Sequence, residues 1–291
     1  MKDQRNLASL QDDIQKIKDW LKKQPHLPHD IDDELLTCFV HGTKSLEIAK
    51  KKLDSYFTIR GLRPKLFEFS VRDPLDPDFQ KANSSTRKFF LDSTTPEGYR
   101  VLFHNLTPTF NECFVHSQEI VKSMMCIEMA MHTWPDMKGL YLVYDMKTLD
   151  ATLLTKLAPT LLGSALDWFQ SSVPVKLKGV LIFNAPTFLE KTVDWLLKPF
   201  MKPKLFQRLK VTSEDKSCVK KYLPEEILPS DYGGTRTKSS NELTDEWIDL
   251  ILSKRSWFQR TSNQIADEKK RPPDENDTYG VQGTFRTLAL D

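Results

Sequence analysis

The sequence predicts an α/β fold in which a small all-α unit precedes a domain with a mostly parallel sheet. In residues 7–60 the apolar side chains recur with the period of an α-helix. Further along the chain, short apolar runs alternate with helical segments. The predicted strands span 99–103, 140–144, 178–186 and 209–211. Such alternation is typical of parallel sheets, because a helix must carry the chain back to the edge where the next strand begins.

Three amphipathic helices are predicted in the N-terminal unit, which we place at residues 1–80. They span 7–22, 30–40 and 46–60. The proline-containing stretch QPHLPH separates the first two helices, and Ser45 is suited to cap the third. The sequence RDPLDPD around Pro74 is rich in turn-forming residues and closes the unit.

The α/β domain is predicted at residues 94–240, and residues 81–98 are interpreted as a linker because they hold few apolar groups. Its helices are expected at 111–131, 149–166, 187–201 and 225–228. A C-terminal segment, 241–291, contains a further helix at 243–258. From Thr261 onward the chain becomes polar, and we expect this tail to lack order until apolar residues return at 280–290.

Composition narrows the class of protein. The net charge of +2 and the isoelectric point near 8.2 give no overall field that would require nucleic acid. Four widely spaced cysteines form no CxxC pair, which favours reduced thiols over disulfides or metal ligands. The charged N-terminus does not resemble a signal peptide, and no apolar run approaches the roughly 20 residues of a membrane span. We therefore expect a soluble, cytoplasmic protein.

Few residues suggest catalysis or metal binding. His26 and His29 lie close to Asp30, but no further ligands follow, so surface residues are the favoured interpretation. Asp145 follows a buried strand, where α/β enzymes place catalytic groups, although an aspartate that caps the next turn is an equal alternative. We therefore expect that the protein is not an enzyme and that it binds neither a cofactor nor a metal ion. Met124 and its neighbouring methionines fit either core packing or a pocket for an apolar ligand.

The most informative stretch is residues 173–234. After the strand at 178–186, apolar residues recur on one face of a helix, at Leu189, Val193, Leu196, Leu197 and Phe200. The following residues 198–210 hold five basic side chains and no acidic one. An apolar-faced helix next to a basic patch suits a lid that touches a membrane, and it also suits an ordinary surface helix.

This stretch resembles the CRAL-TRIO lipid-binding family. The similarity lies in the order and spacing of Pro-Val-Lys-Leu-Lys-Gly (174–179), Asn-Ala-Pro (184–186), Lys-Pro-Phe (198–200), Ile-Leu-Pro (227–229) and Tyr-Gly-Gly (232–234). Weaker similarity extends to residues 38–44 in the helical unit and to the strand ending at Asp145. The sequence YGVQGTFR at 279–286 is similar to the C-termini of arthropod members.

The resemblance implies a carrier that holds a single hydrophobic ligand, such as tocopherol, a retinoid or a carotenoid, in a closed pocket. The lid would be Thr187 to Met201, and lid opening would occur at phosphoinositide-containing membranes. The implied pocket residues are Met124, Met125, Leu140, Leu142, Tyr144, Ala165, Trp168, Phe169, Val173, Val175, Val180, Ile182, Phe188, Leu189, Val193, Leu196, Leu197 and Phe200.

The resemblance also implies a binding site for phosphoinositide phosphates at four basic residues, Lys176, Lys178, Lys204 and Arg208. The sequence departs from a tocopherol-carrying member at several positions: Thr43 replaces an arginine, Ala165 an isoleucine and Trp168 a valine. A bulky indole at 168 is expected to reshape the cavity.

The expected partners are a hydrophobic lipid and an anionic membrane surface. We expect a monomer that contacts this surface peripherally and transiently. Nucleic acid is not expected. The alternative function is a phosphoinositide-responsive signalling adaptor whose pocket is vestigial or filled by its own side chains, with Trp168 as a candidate to fill it.

Overall fold

The computed structural model describes residues 7–273 and consists there of an N-terminal helical unit and an α/β unit with one five-stranded sheet. The strands are β1 (Thr86–Phe90), β2 (Arg100–Leu106), β3 (Leu140–Asp145), β4 (Leu177–Phe183) and β5 (Leu209–Val211). The helices are α1 (Leu7–Leu21), α2 (Asp33–Gly42), α3 (Leu46–Leu62), α4 (Pro64–Phe67), α5 (Phe69–Arg72), α6 (Pro77–Asn83), α7 (Phe110–Cys113), α8 (His116–Thr133), α9 (Leu153–Lys156), α10 (Pro159–Ser171), α11 (Thr187–Leu197), α12 (Pro203–Phe206), α13 (Ser240–Ser253) and α14 (Arg255–Ser262). The predicted fold class is confirmed.

The three predicted N-terminal helices are present as α1, α2 and α3. Ser45 caps α3 as predicted, because its hydroxyl oxygen accepts a hydrogen bond from the backbone N–H of Ile48 at 3.3 Å. Leu53 and Phe57 on the predicted inner face of α3 are fully buried. Three short helices, α4 to α6, follow α3: two end by the first residue of the predicted turn RDPLDPD and one begins near its end, where Asp76 caps it.

The prediction of a linker over residues 81–98 is wrong, because residues 86–90 form β1. This strand pairs antiparallel with β2, and Phe89 stacks on Phe103 with ring centroids 5.3 Å apart. Lys88 of β1 lies inside the protein, where it pairs with Glu119 of α8. A buried lysine lowers the apolar content of a strand that is nevertheless part of the core, so composition alone suggested a linker.

The topology of the sheet decides which helices cover which face. The strand order is β1-β2-β3-β4-β5, and β2 to β5 are parallel neighbours. Right-handed crossovers between consecutive neighbours place α8, α10 and α11 on one face. Lys88, His104 and Tyr144 are in register across β1, β2 and β3, and Lys88 pairs with α8. Tyr144, and Leu142 two residues before it, therefore point to the face that these helices cover.

Several predicted helices are divided in the structure. The segment 111–131 becomes α7 and α8, the segment 149–166 becomes α9 and α10, and the segment 243–258 becomes α13 and α14. The predicted helix at 225–228 is a single 3-10 turn, Glu225–Ile227. The break before α10 follows from Pro159, because proline disfavours helical conformation in the residue before it, and Ala158 has φ −115° and ψ 92°.

The prediction that the chain lacks order from Thr261 is wrong for residues 261–271. Thr261 and Ala266 are buried, and the backbone N–H of Ala266 donates to the carbonyl of Phe57 at 3.0 Å. Arg271 binds both carboxylate oxygens of Asp54 in α3 at 2.9 Å. This segment therefore packs against the helical unit. The predicted apolar return at 280–290 and the similarity at 279–286 lie outside the described residues.

A buried ion network joins the helical unit to the α/β unit. Arg60 of α3 and Arg72 of α5 both bind Glu128 of α8, and Tyr56 donates to the same carboxylate at 2.6 Å. Although burial opposes ionisation, Arg72 and Arg60 hold the pKa of Glu128 below its ordinary value. The charged carboxylate therefore ties two elements of the first unit to the longest helix of the second.

Candidate functional site

We infer a hollow between the sheet and helices α10 and α11 from the side chains of β3. Leu142 and Tyr144 lie on β3, the third of five strands, and both keep accessible surface although they point to these helices. A helix packed directly on an interior strand would bury such side chains completely. Burial raises the pKa of Tyr144 to about 12, so its phenol lies deep in the protein. A side chain that is deep and yet accessible borders an internal space, which we call the hollow.

Helices α10 and α11 form the outer wall of the hollow. Every residue of α10 from Leu161 to Ser171 is half-buried, with the exception of the buried Trp168. Within residues 7–273, no helix or strand runs in extended backbone contact with α11. The amphipathic character predicted for α11 is confirmed: its buried residues are Leu189, Val193 and Leu196, and its exposed residues are Thr187, Glu190, Lys191, Asp194 and Trp195.

Most of the predicted pocket residues retain surface that could meet a ligand. Seven are half-buried: Leu142, Tyr144, Ala165, Phe169, Phe188, Leu197 and Phe200. Another seven are buried but keep between 4% and 8% of their surface: Met124, Val175, Val180, Ile182, Leu189, Val193 and Leu196. Their individual contacts with a ligand stay predictions.

Four predicted pocket residues have no open surface and do not line the hollow. Met125, Leu140, Trp168 and Val173 are at most 2% exposed. The ring of Trp168 lies 6.1 Å from that of Phe67 in α4, so the indole fills the junction with the helical unit. The expectation that Trp168 reshapes the cavity is therefore wrong, because the helical unit covers this side of α10.

The side chain of Gln170, near the C-terminal end of α10, holds the chain that follows α11. Its amide nitrogen donates to the carbonyl of Phe200 at 2.8 Å, and its amide oxygen accepts from the backbone N–H of Lys202 at 2.7 Å. The ring of Phe200 also fills the space above Gly163, where an added Cβ would lie 2.6 Å from it. We call this arrangement the latch. The sequence analysis did not identify Gln170, since nothing in its local pattern indicates a contact 30 residues away.

Lys52 of the helical unit reaches the same end of α10. Its ammonium group donates to the carbonyls of Val173 at 2.9 Å and Gln170 at 3.2 Å. These carbonyls lie at or just past the helix terminus, where a cation is favoured by the helix dipole. Burial, with a smaller contribution from Lys202, lowers the pKa of Lys52 to about 8. The helical unit therefore contacts the helix that carries the latch.

The four residues predicted to bind phosphoinositides lie together, and we call them the basic patch: Lys176, Lys178, Lys204 and Arg208. Arg208 donates to the backbone carbonyl of Leu177, between the first two lysines, and Lys204 lies four residues before it. The ammonium group of Lys178 lies 4.5 Å above the ring of Tyr99, whose face attracts the cation. Lys176, Lys204 and Arg208 are exposed and Lys178 is half-buried. Phosphate binding by these residues stays a prediction.

Trp195 is a surface feature that the sequence analysis missed. It lies on the outer face of α11 and is 69% exposed, the largest exposed fraction among the large apolar side chains of the described residues. Exposed lysines at 191 and 198 lie four residues before it and three after it. Tryptophan flanked by lysine is favoured at membrane–water interfaces, because the ring suits the headgroup region and the lysines suit anionic lipids.

The carboxylate of Asp145 is engaged in structural hydrogen bonds. It accepts from the side-chain amide of Asn184 at 2.7 Å, from the hydroxyl of Tyr232 at 2.8 Å and from the backbone N–H of Lys147 at 3.1 Å. The ring of Tyr232 covers the face of the sheet opposite the hollow, 5.3 Å from Phe103. These contacts favour the turn-capping interpretation of Asp145.

Two expectations about titratable residues have different outcomes. His26 is 2% exposed and its Nε2 lies 3.2 Å from Asp54, so the expectation that it is a surface residue is wrong. The expectation of reduced cysteines is confirmed, since Cys38, Cys113, Cys126 and Cys218 are all free. Among the described helices, none is both long enough and apolar enough to cross a membrane.

Comparison with known proteins gives consistent similarities. Residues 84–234 match the family model of the CRAL/TRIO domain, and residues 6–79 match that of the Pinta-like UBA domain. The protein named alpha-tocopherol transfer protein-like from Mus musculus is 24% identical over 254 residues, which is 84% of this chain and 70% of that protein. Clavesin-1 from Rattus norvegicus is 24% identical over 230 residues, which is 78% of this chain and 64% of that protein.

Among solved structures, that of Sfh5 superposes with a TM-score of 0.52 at 15% sequence identity. The superposition covers 88% of this chain and 99% of that one, so it extends beyond the sheet to the helical unit. At this level of identity the superposition supports the fold. The CRAL/TRIO match covers more than half of the residues, and the chain therefore belongs to the CRAL/TRIO family.

Proposed function

We propose that the protein binds one small hydrophobic ligand in the hollow and transfers it between membranes. The observation that carries the proposal is the accessible apolar and aromatic surface of Leu142 and Tyr144 inside the protein, beneath α11. Similarity to a protein named for tocopherol transfer supports the ligand class, and tocopherol, retinoids, carotenoids and similar lipids are the candidates. The protein would act in the cytoplasm, as a monomer that touches membranes transiently.

The energetics require that the lid closes over the ligand. Removal of about 400 Å² of apolar ligand surface from water contributes about 10 kcal/mol at roughly 25 cal/mol per Å². A lipid already resides in an apolar membrane, so this contribution offsets the loss of the membrane only when little of the ligand stays wet. The half-buried residues of α10 and the buried face of α11 supply the apolar cover.

The outer surface of α11 supports opening at an anionic membrane. Trp195 projects into solvent, and the basic patch lies near the end of the crossover that contains α11. Each lysine or arginine near an anionic surface contributes about 1 kcal/mol to binding, and the tryptophan adds apolar contact with the headgroup region. Insertion of Trp195 would pull α11 away from the sheet, and phosphoinositides would favour this state through the basic patch.

Two measurements test this proposal. Mass spectrometry of solvent extracts from the purified protein should detect a co-purified lipid at about one molecule per chain. Transfer of that lipid to vesicles containing phosphatidylinositol bisphosphate should be slower for Lys204→Ala, with little change in lipid content. Lys65→Ala removes an exposed lysine from α4 and is the matched control. Equal transfer by both variants would refute the role of the basic patch.

The adaptor and enzyme alternatives have less support. Trp168, one candidate to fill the pocket with the protein's own side chains, lies against Phe67 instead. The strand-end carboxylate of Asp145 is occupied by Asn184 and Tyr232, which favours a carrier over an enzyme. A protein that yields no lipid on extraction and takes up none from vesicles would restore the adaptor hypothesis.

A further inference from the structure

The hydroxyl group of Tyr144 has no partner among the described residues, and it keeps some accessible surface although burial raises the pKa of this phenol. Two other buried tyrosines place this group on a carboxylate, Tyr56 on Glu128 and Tyr232 on Asp145. The hydroxyl of Tyr144 makes no hydrogen bond to any residue between 7 and 273. A phenol in largely apolar surroundings is expected to bond to a protein group, to water or to a ligand, because an unpaired polar group costs free energy away from water.

The neighbouring ring fixes the direction of this hydroxyl group. His104 of β2 stacks on Tyr144 with ring centroids 4.4 Å apart and an angle of 22° between the planes. His104 is 5% exposed, so its position is set by the core of the sheet. Tyr144 is half-buried and points to the face covered by α10 and α11, so its remaining accessible surface borders the hollow. The unpaired phenol is thus held in place beside the space assigned to the ligand.

We propose that the hydroxyl of Tyr144 is the polar anchor of the bound ligand, and that the ligand carries an uncharged oxygen function, a hydroxyl or a carbonyl, at this position. The inference rests on the proposed function and deepens it, because it names the chemical feature that the hollow selects. A phenol both donates and accepts, so it pairs with either oxygen function. A pure hydrocarbon would leave the phenol unpaired, which lowers its relative affinity.

The charged residues on this face favour an uncharged group over a carboxylate. Lys88 pairs with Glu119, and Lys122 donates to the carbonyls of Ala82 and Thr86 at 3.2 and 2.7 Å. Burial, and the nearby Lys88 and Lys122, keep the pKa of His104 well below its ordinary value, so the imidazole that stacks on Tyr144 is neutral. Both lysines are already engaged, and an anionic headgroup would have to leave water without a free counter-ion.

A set of matched fluorescent probes tests the inference. Parinaryl alcohol, parinaric acid and the corresponding octadecatetraene share one conjugated chain and differ only at the end, and all three report binding by fluorescence. The full-length protein, stripped of lipid, would be titrated with each probe. The variant Tyr144→Phe keeps the ring and removes the hydroxyl group. Tyr141→Phe is the matched control, because Tyr141 lies on the same strand with its side chain on the opposite face.

We expect the wild-type protein to bind the alcohol about tenfold more tightly than the hydrocarbon, which is the ratio expected from one buried hydrogen bond. Tyr144→Phe should remove this preference by weakening the alcohol alone, and Tyr141→Phe should retain it. If wild type and Tyr144→Phe each bind the alcohol and the hydrocarbon equally tightly, Tyr144 is not the anchor and water satisfies its hydroxyl group. The proposed carrier function would not be affected by that result. Tightest binding of the acid would overturn the uncharged class. Failure to bind any of the three probes, with no lipid extracted, would overturn the carrier function itself.

Discussion

Removal of the latch should open the lid without unfolding the protein. The substitution Gln170→Met keeps the length and volume of the side chain but removes the two hydrogen bonds of the latch, to the carbonyl of Phe200 and to the N–H of Lys202. It also removes a bond within α10, to the carbonyl of Leu166. The two backbone groups of the latch lie three and five residues after the end of α11, so their release frees its C-terminal end. The contact of Phe200 with Gly163 would remain and would limit the displacement.

The size of the effect follows from the two lost hydrogen bonds of the latch. Each intramolecular hydrogen bond contributes about 0.5–1.5 kcal/mol net, so the latch contributes about 1–3 kcal/mol to the closed state. This free energy corresponds to an increase of roughly 5- to 150-fold in the fraction of open molecules. If ligand leaves only when the lid is open, its dissociation rate should rise by a similar factor. The free energy of global unfolding should change by no more than the same amount plus the contribution of the bond to Leu166.

Hydrogen exchange measured by mass spectrometry is the direct assay. Backbone amides in residues 187–202 should exchange 5- to 150-fold faster in Gln170→Met, whereas amides in α13, which packs on β1 at the far edge of the sheet, should be unaffected. Gln207→Met is the matched control, because Gln207 is exposed near the same region and its side chain makes no hydrogen bond within the described residues. Unchanged exchange over 187–202 in Gln170→Met would refute the latch, even if ligand affinity fell.

Two further predictions concern separate parts of the molecule. Lys88 and Lys122 hold the pKa of Glu119 at about 2 despite its burial, so its stabilising effect is complete above pH 4.5 and is lost as the pH falls towards 2. In urea titrations, the difference in unfolding free energy between wild type and Glu119→Gln should therefore shrink by about 2 kcal/mol from pH 7 to pH 3. A difference that does not change with pH would contradict the assigned ion pair. Trp195→Ala should reduce binding to anionic vesicles several-fold in co-sedimentation assays. The unfolding free energy should stay within about 0.5 kcal/mol of the wild-type value, since the side chain is 69% exposed. Undiminished vesicle binding would exclude Trp195 from the membrane contact.

The sequence predicted well those strands whose residues form an uninterrupted run of high strand propensity. Residues 140–144 and 209–211 match β3 and β5 because short runs with high strand propensity had no competing helical pattern. Phe89 and Phe90 were seen as apolar, but the strand that contains them was missed, since Arg87 and Lys88 interrupt the pattern. The burial of Lys88 depends on Glu119, which lies 31 residues further along the chain. Local periodicity cannot report such a pairing.

The candidate site was predicted unevenly for a similar reason. The amphipathic helix proposed as the lid was evident from Leu189, Val193 and Leu196, because one face of a single helix holds all three. Trp168 was assigned to the pocket because the helix before β4 was treated as if only the α/β unit covered it. The helical unit packs on that side of α10, and the direction of Trp168 depends on this contact with Phe67. A feature set by packing between the two units is not present in either sequence segment alone.

A second contact between the two units, made by Lys52, links the helical unit to the chain that follows α11. Lys52 binds the carbonyls at the C-terminal end of α10, and the side chain of Gln170 at that end binds the chain after α11. Loss of the Lys52 contact would leave these terminal carbonyls without their cation and weaken the last turn that orients Gln170. If α11 is the lid, as proposed, the helical unit would therefore stabilise its closed state through two consecutive sets of hydrogen bonds. Because thermodynamic coupling is reciprocal, a change in lid position must also alter how firmly the helical unit is held against α10.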